Sequence, residues 1–348
     1  MRSPLILTLA GAAMAGTLGF SAYQSSTHHF NPVVELLAAH KTVLGLYAPA
    51  NPRMGGGRRG APPAADAPPP PPPAPAKSQS ELAQQALGYK LADFTFSGSM
   101  EGDFDRAFPD FDAYMKGLQE HGAFQKTPFP HLALPMIVKT HKIAENPALA
   151  AERIGKQLNE GVVGIMFPEV ESADEVRAGL AAMRFKSQGG TRPDDVGNAP
   201  AVWGMSEKEY KQKADLWPLN PKGELVNWTI VESKEGLAHI REIAAVPGIG
   251  VLWPGAGTLR GVFTNTVDGK RVFDQAGWEN AIQTVLAACK EFKVPCGFPS
   301  NENDIEMRAK QGFSVFVMNW GEPGQRTITL GRTLSGRTDG DTGLTYKP

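Results

Sequence analysis

The sequence predicts an α/β protein built as one (β/α)₈ TIM barrel. Two observations carry this expectation. Eight short segments, mostly continuous apolar runs, are separated by helical patterns, as in parallel strands buried on both faces. Eight such units over about 270 residues also match the size of a closed barrel. An open doubly wound sheet is the alternative. It lacks the Gly-rich dinucleotide turn, because Gly55-Gly56-Gly57 leads into proline and not into a helix.

Taken in order, Arg2 precedes an almost uncharged apolar run from Leu5 to Phe20, the pattern of a secretory signal. Ala13-Met14-Ala15 and Gly19-Phe20-Ser21 offer small-x-small cleavage sites. Residues 1–24 are therefore expected to be a signal peptide, or an anchor if left uncleaved, and the protein to be periplasmic or extracellular. Residues 25–48 open the barrel. Pro32 to Ala39 reads as an amphipathic helix and Thr42 to Tyr47 as the first strand. Residues 49–77 read as a disordered Pro/Gly-rich insertion after that strand, with unbroken prolines from Pro68 to Pro73.

The remainder of the barrel is expected over 78–325. Its strands are Asp93 to Gly98, Leu132 to Lys139, Gly161 to Phe167, Asn227 to Glu232, Ile249 to Trp253, Val294 to Pro299 and Ser314 to Asn319. The helices between them run from Ser80 to Leu87, Phe111 to His121, Pro147 to Asn159, Ser172 to Met183, Glu235 to Ala244, Gly277 to Phe292 and Asp304 to Lys310. Their starts carry side-chain caps, such as Ser172 with Glu175 three residues on. Residues 326–348 read as a C-terminal tail.

Of the 348 residues 41% are apolar, enough for a large core, and the formal net charge is −1. Nothing global points to nucleic acid or to an anionic membrane surface. Cys289 and Cys296 are read as two partly buried thiols. A disulfide would need their Cα atoms within about 7 Å, and no zinc-ligand spacing surrounds them.

In a barrel the site forms at the C-terminal ends of the strands. Those ends offer Ser97 to Glu101, Lys139, His141, Glu169, Glu171, Glu232, the turn Gly255-Ala256-Gly257, Asn301, Glu302 and Asn319. Glu232 closes a buried strand, where a carboxylate is costly unless paired or metal-bound. It is either a metal ligand or the partner of Lys139. Lys139 could hold a carboxylate or enolate, or lie along the rim. Glu169 and Glu171 flank Val170 and would face opposite ways if the strand continued, so at most one faces the mouth. Gly255 to Gly257 would let backbone N–H groups approach an anion, or form a plain turn. His121 and His131 are read as structural, and Trp203, Trp217 and Trp228 as packing.

The run from Gly161 to Ala178, continuing to Met183-Arg184-Phe185, resembles the fourth βα unit of the HpcH/HpaI aldolase family, the citrate-lyase-like pyruvate barrels. Ile230-Val231-Glu232-Ser233-Lys234-Glu235-Gly236, the segment Ile243 to Val251 and Pro254-Gly255-Ala256 are similar to the family in the same order. The resemblance covers about Asn31 to Trp320, apart from the insertion. It implies a usually homo-oligomeric (β/α)₈ barrel using Mg²⁺, Mn²⁺ or Co²⁺ to hold a 2-oxo acid and stabilise its enolate. The implied activity is aldolase-like cleavage of a 4-hydroxy-2-oxo acid. It also implies that Glu232 is the glutamate metal ligand.

Three positions depart from the family pattern. Gly257 stands at or near the aspartate that would be the second metal ligand. Glu101 stands where a Glu-His pair is expected. Lys139, or His141 if the register slips, replaces an arginine. Glu169 is then a candidate to complete the metal site, with Glu101 or Asp103 as other oxygen donors. Glu101 or His141 would replace the missing acid/base. The alternative is a non-catalytic exported barrel that binds a 2-oxo acid or another small organic anion.

Overall fold

The computed structural model describes residues 28–51, 75–127 and 129–337. The N-terminal segment read as a signal, residues 52–74 of the insertion and residues 338–348 of the tail lie outside the described residues. Among the described residues no helix is long and apolar enough to cross a membrane.

Eight parallel strands form the barrel. They are β1 (Val43–Tyr47), β2 (Phe94–Ser97), β3 (Met136–Lys139), β4 (Gly164–Phe167), β5 (Leu225–Val231), β6 (Val251–Pro254), β7 (Gly297–Pro299) and β8 (Val315–Met318). Each is paired in parallel with its sequence neighbour from β1 to β6, and β8 lies between β7 and β1. The ring closes between β6 and β7 through one bridge, Leu252 with Cys296, where the Leu252 N–H donates to the Pro295 carbonyl at 2.9 Å. All eight strands stand where the apolar runs placed them.

The helices are set by their caps. Asn31 caps α1 (Pro32–Ala38), with Pro32 in its first turn, where no N–H is needed. Ser78 and Glu81 form a capping box on α2 (Gln79–Gly88). Asp103 caps α3 (Phe104–Glu120), Asn146 caps α4 (Pro147–Asn159) and Ser172 caps α5 (Ala173–Met183). Helix α3 starts seven residues before the sequence suggests, because Asp103 caps it and Pro109 is tolerated inside it.

Two expectations are corrected. The chain beyond 325 is not tail throughout, since Glu322–Leu334 is a helix burying Gly324, Thr327, Ile328, Gly331 and Arg332. Its buried stripe is glycine and threonine more than leucine, so apolar periodicity does not reveal it. Beyond that helix Arg337 reaches the buried Asp93 with contacts of 2.6 and 2.7 Å. Cys289 and Cys296 are not free thiols. They form a disulfide with Cα atoms 5.7 Å apart, because the αL turn at Lys293 folds the helix Gln275–Phe292 back onto β7.

The barrel interior is an aromatic stack. Trp228 of β5 packs on Trp253 of β6 at 5.3 Å and on Phe96 of β2 at 6.2 Å, and Phe94 meets Trp228 edge-on at 5.1 Å. Two glycines make room for it. A Cβ on Gly45 would enter the Phe94 ring, and one on Gly297 the Trp253 ring. Phe96 and Trp253 form part of the floor of the cavity above.

Candidate active site

The cavity at the C-terminal ends of the strands has a volume of 530 Å³. Its polar wall includes Glu101, Lys139, Glu232 and the turn from Gly255 to Thr258. Glu232, immediately after β5, is only 3% exposed. A carboxylate so buried needs partners. It accepts the Lys139 ammonium at 3.4 Å and the backbone N–H of Glu169 at 3.1 Å, both on Oε1.

Glu169 supplies that N–H from a left-handed backbone, φ 46°, which is unfavourable for a residue with a Cβ. The chain has left β4 at Phe167, so strand alternation no longer decides where Glu169 and Glu171 point. Both carboxylates reach Lys142, at 3.3 and 3.2 Å, and only Glu169 also approaches Glu232 and Glu101. A hydrogen bond from Ser233, followed by Lys142, holds the Glu171 carboxyl below the ordinary range despite partial burial.

Lys139 ends β3 and is shared between Glu101, at 2.6 Å, and Glu232. Burial works against its charge, but the two carboxylates outweigh burial and hold its pKa above the usual lysine value. Gly255 packs directly on Glu232, where a Cβ would meet the carboxylate, and its N–H is taken by the Val231 carbonyl at 2.9 Å. Gly255 therefore seats Glu232 and does not offer a free donor to a ligand. Ala256 and Gly257 line the cavity, and a side chain at Gly257 would project into open space.

His141 is not part of the cavity wall. Its Nδ1 lies 3.2 Å from the Glu101 carbonyl oxygen and its Nε2 3.1 Å from Glu145, so it braces the loop that carries Glu101. Asn301 hydrogen-bonds Asp304 and Glu302 pairs with Arg326. Three contributors were missed in the sequence. Tyr47 and Trp253 line the cavity, and Lys142 bridges two carboxylates. Tyr47 and Trp253 end predicted strands and could have been found by the same rule that found Glu232. Lys142, three residues past a strand, carries no such signal.

Glu101, Glu169 and Glu232 each place one carboxylate oxygen so that all three lie within 4.8 Å of one another. With Glu171 there are four carboxylates against the ammonium groups of Lys139 and Lys142, an excess of two negative charges. Hard oxygen donors with uncompensated charge suit a divalent cation such as Mg²⁺ or Mn²⁺.

The family model described as HpcH/HpaI aldolase/citrate lyase matches residues 127–325, more than half of the chain. Over 177 residues the chain is 27% identical to a hydroxypyruvate/pyruvate aldolase of Paraburkholderia phytofirmans, covering 49% of this chain and 63% of that protein. Over 157 residues it is 28% identical to a 2-dehydro-3,6-dideoxy-6-sulfogluconate aldolase of Pseudomonas putida, covering 45% and 55%. The match thus spans less than two thirds of either relative. In fold it is similar to the crystal structure of an HpcH/HpaI aldolase/citrate lyase family protein from Burkholderia cenocepacia, with TM-score 0.58, 17% identity and coverage of 87% and 96%. Macrophomate synthase is similar too, with TM-score 0.53, 17% identity and coverage of 88% and 87%.

Proposed function

The chain belongs to the HpcH/HpaI aldolase/citrate lyase family, and on that premise we propose that it is a carbon–carbon lyase that cleaves a 4-hydroxy-2-oxo acid through a pyruvate enolate. The observation that carries this is the charge balance of the cavity. An anionic 2-oxo acid entering it meets an excess of carboxylates, with Lys139 already paired. A divalent cation at these carboxylates would remove that repulsion. Glu232 and Glu169 are the residues that would hold it, with a Glu101 oxygen beside them, and when bound it would supply Lewis-acid polarisation of the 2-oxo group and charge balance for the enolate.

The chain's own groups have separate tasks. Lys139, kept as an ammonium by its two carboxylates, is a hydrogen-bond donor to the substrate's developing negative oxygen and not an amine nucleophile. Glu101 is the wall carboxylate placed to take the proton from the 4-hydroxyl. As that proton leaves, the C3–C4 bond breaks, its electrons enter the enolate, and an aldehyde departs. The enolate is then protonated at C3 to give pyruvate. His141 acts through the loop of Glu101 as a positioning residue. The aromatic floor of Phe96 and Trp253 keeps that side of the cavity dry.

One observation favours a second reading, a barrel that binds 2-oxo acids without turnover: among the described residues the cavity wall contains no histidine. Exchange of the pyruvate methyl protons for solvent deuterium separates the two, because it needs enolate formation and no aldehyde. Metal-dependent exchange, abolished by chelation, is expected. Pyruvate binding without exchange would replace the lyase with the binding barrel. The proposal includes an exported protein, which the Cys289–Cys296 pairing supports because disulfides persist in oxidising compartments.

A further inference from the structure

The opposite end of the barrel carries a pit of its own, with a volume of 670 Å³. It opens among the segments that enter β1, β6, β7 and β8, at Lys41, Ile249, Cys296 and Ser314. It shares no residue with the cavity at the C-terminal ends of the strands. We propose that this pit binds a small amphiphilic anion, a carboxylate head on an apolar chain, as in a medium-chain fatty acid. The proposal is independent of the lyase reading.

The charge of the wall is of one sign. Lys41, Lys290 and Lys293 line it together with His40, and among the described residues no Asp or Glu does. None of these lysines has an ion pair or a side-chain hydrogen bond among the described residues, so no carboxylate cancels them. Glu35, Asp215, Glu242 and Glu291 adjoin wall positions in sequence but lie outside the wall. His28 holds Glu35 at 3.2 Å, while Arg184 holds Asp215 and Arg241 holds Glu291, each at 2.6 Å. Lys290 passes over Gly312, where a Cβ would stand 3.1 Å from its Cε, so the bare glycine leaves room for the lysine at the rim. His40 and Lys293 both hold left-handed backbone, at φ 53° and 57°. Each follows the last turn of a helix, where glycine is the usual and less costly choice. That cost is borne at two places where the side chain puts a cationic group on the same rim. Behind the rim the wall is apolar, with Leu37, Val246, Ile249, Leu286, Phe292 and Val294. A concave apolar surface with a few charged groups at its mouth suits a small molecule with one charged end. The apolar walls strengthen the pull of the rim on an anion, and an apolar tail reaching the floor leaves water. The disulfide Cys289–Cys296 stands in the wall and ties the helix Gln275–Phe292 to the entry of β7, so the pit is preformed.

The test is titration calorimetry of the full chain with octanoate, with acetate as the head-only control and octanol as the tail-only control. Octanoate is expected to bind about tenfold or more tightly than either. Lys293→Gly removes one charge and relaxes the left-handed backbone, so it should weaken octanoate by about threefold or more while raising the melting temperature. Lys290→Gln should weaken octanoate by a similar factor of about three. Octanol bound as tightly as octanoate overturns the proposal. So does octanoate binding that neither variant weakens, which would leave Lys293 as a helix end and put the acid elsewhere. Adsorption to anionic phosphatidylglycerol vesicles without binding of free octanoate would make the pit a membrane contact and overturns it too. Because the two cavities share no residue, failure of pyruvate exchange leaves this proposal standing, and failure of octanoate binding leaves the lyase reading standing.

Discussion

Replacing Glu232 with Gln tests whether the buried carboxylate serves a cation or only Lys139. The change keeps size and one acceptor oxygen, which matters because Gly255 packs against this side chain. The Glu169 N–H keeps its acceptor. Lys139 loses a contact of 3.4 Å but retains Glu101 at 2.6 Å, so no ammonium is orphaned. The stability cost should therefore stay near ~1 kcal/mol, the scale of one hydrogen bond, partly offset by relief of a buried charge. An orphaned buried ion would instead cost about 3–5 kcal/mol. In a domain of this size ~1 kcal/mol moves the melting temperature by about 2–4 °C. Affinity for Mn²⁺ should fall by about tenfold or more, or ~1.4 kcal/mol. Gly257→Asp is the converse. It places a fourth carboxylate where the structure has open space, and it should raise affinity by a similar factor. Manganese titration calorimetry beside thermal melts reads both variants. Unchanged affinity in Glu232→Gln, with a melt lowered by about 10 °C or more, would refute the reasoning and make the Lys139 pair purely structural.

Two further outcomes follow from groups outside the cavity. Burial, and then the neighbouring Asp112, push the Glu160 carboxyl from its ordinary value of 4.5 up to about 7. Stability should therefore fall as pH rises from 4.5 to about 7, because the unfolded chain releases this proton before the folded one does. Glu160 is only partly buried, so solvent screening discounts the effect to ~1 kcal/mol. Glu160→Gln should flatten that slope in melts across the range, and an unchanged slope would assign it to other groups. The short disulfide loop between Cys289 and Cys296 should contribute about 2–3 kcal/mol. Urea midpoints that coincide for the native protein and the Cys289→Ser/Cys296→Ser double variant would contradict this.

The barrel was legible because its strands are buried on both faces. Runs such as Leu132 to Lys139 and Gly161 to Phe167 leave little choice of element, and their helices start at recognisable caps. Glu232 was legible for the same reason, as a charge ending an apolar strand. What stayed hidden depends on contacts across the fold. Nothing near Glu101 in sequence announces that Lys139, on the next strand, reaches its carboxylate. The left-handed backbone of Glu169, which turns its N–H onto Glu232, sits on a residue type that gives no hint of it. The helix Glu322–Leu334 was obscured by its threonines and glycines, and the cysteine pair by the turn that lies between the two residues.

The joint between β6 and β7 gives the barrel a direction in which to yield. Other neighbouring strands share three or four paired residues, whereas these two share a single bridge. Like a sheet of paper rolled until its edges touch, the ring is laced everywhere except at the overlap. At the overlap itself the disulfide ties the helix Gln275–Phe292 to Cys296, the residue that makes the single bridge. Above it stand Trp253 and Pro299, one on each edge, and both face the cavity. Pinned at that one level, with no further strand pairing between these two among the described residues, the seam is held nearer the mouth by side-chain packing. The Trp253 indole seated against Gly297 is thus a contact of shape that stands where the other strand pairs have a ladder of hydrogen bonds.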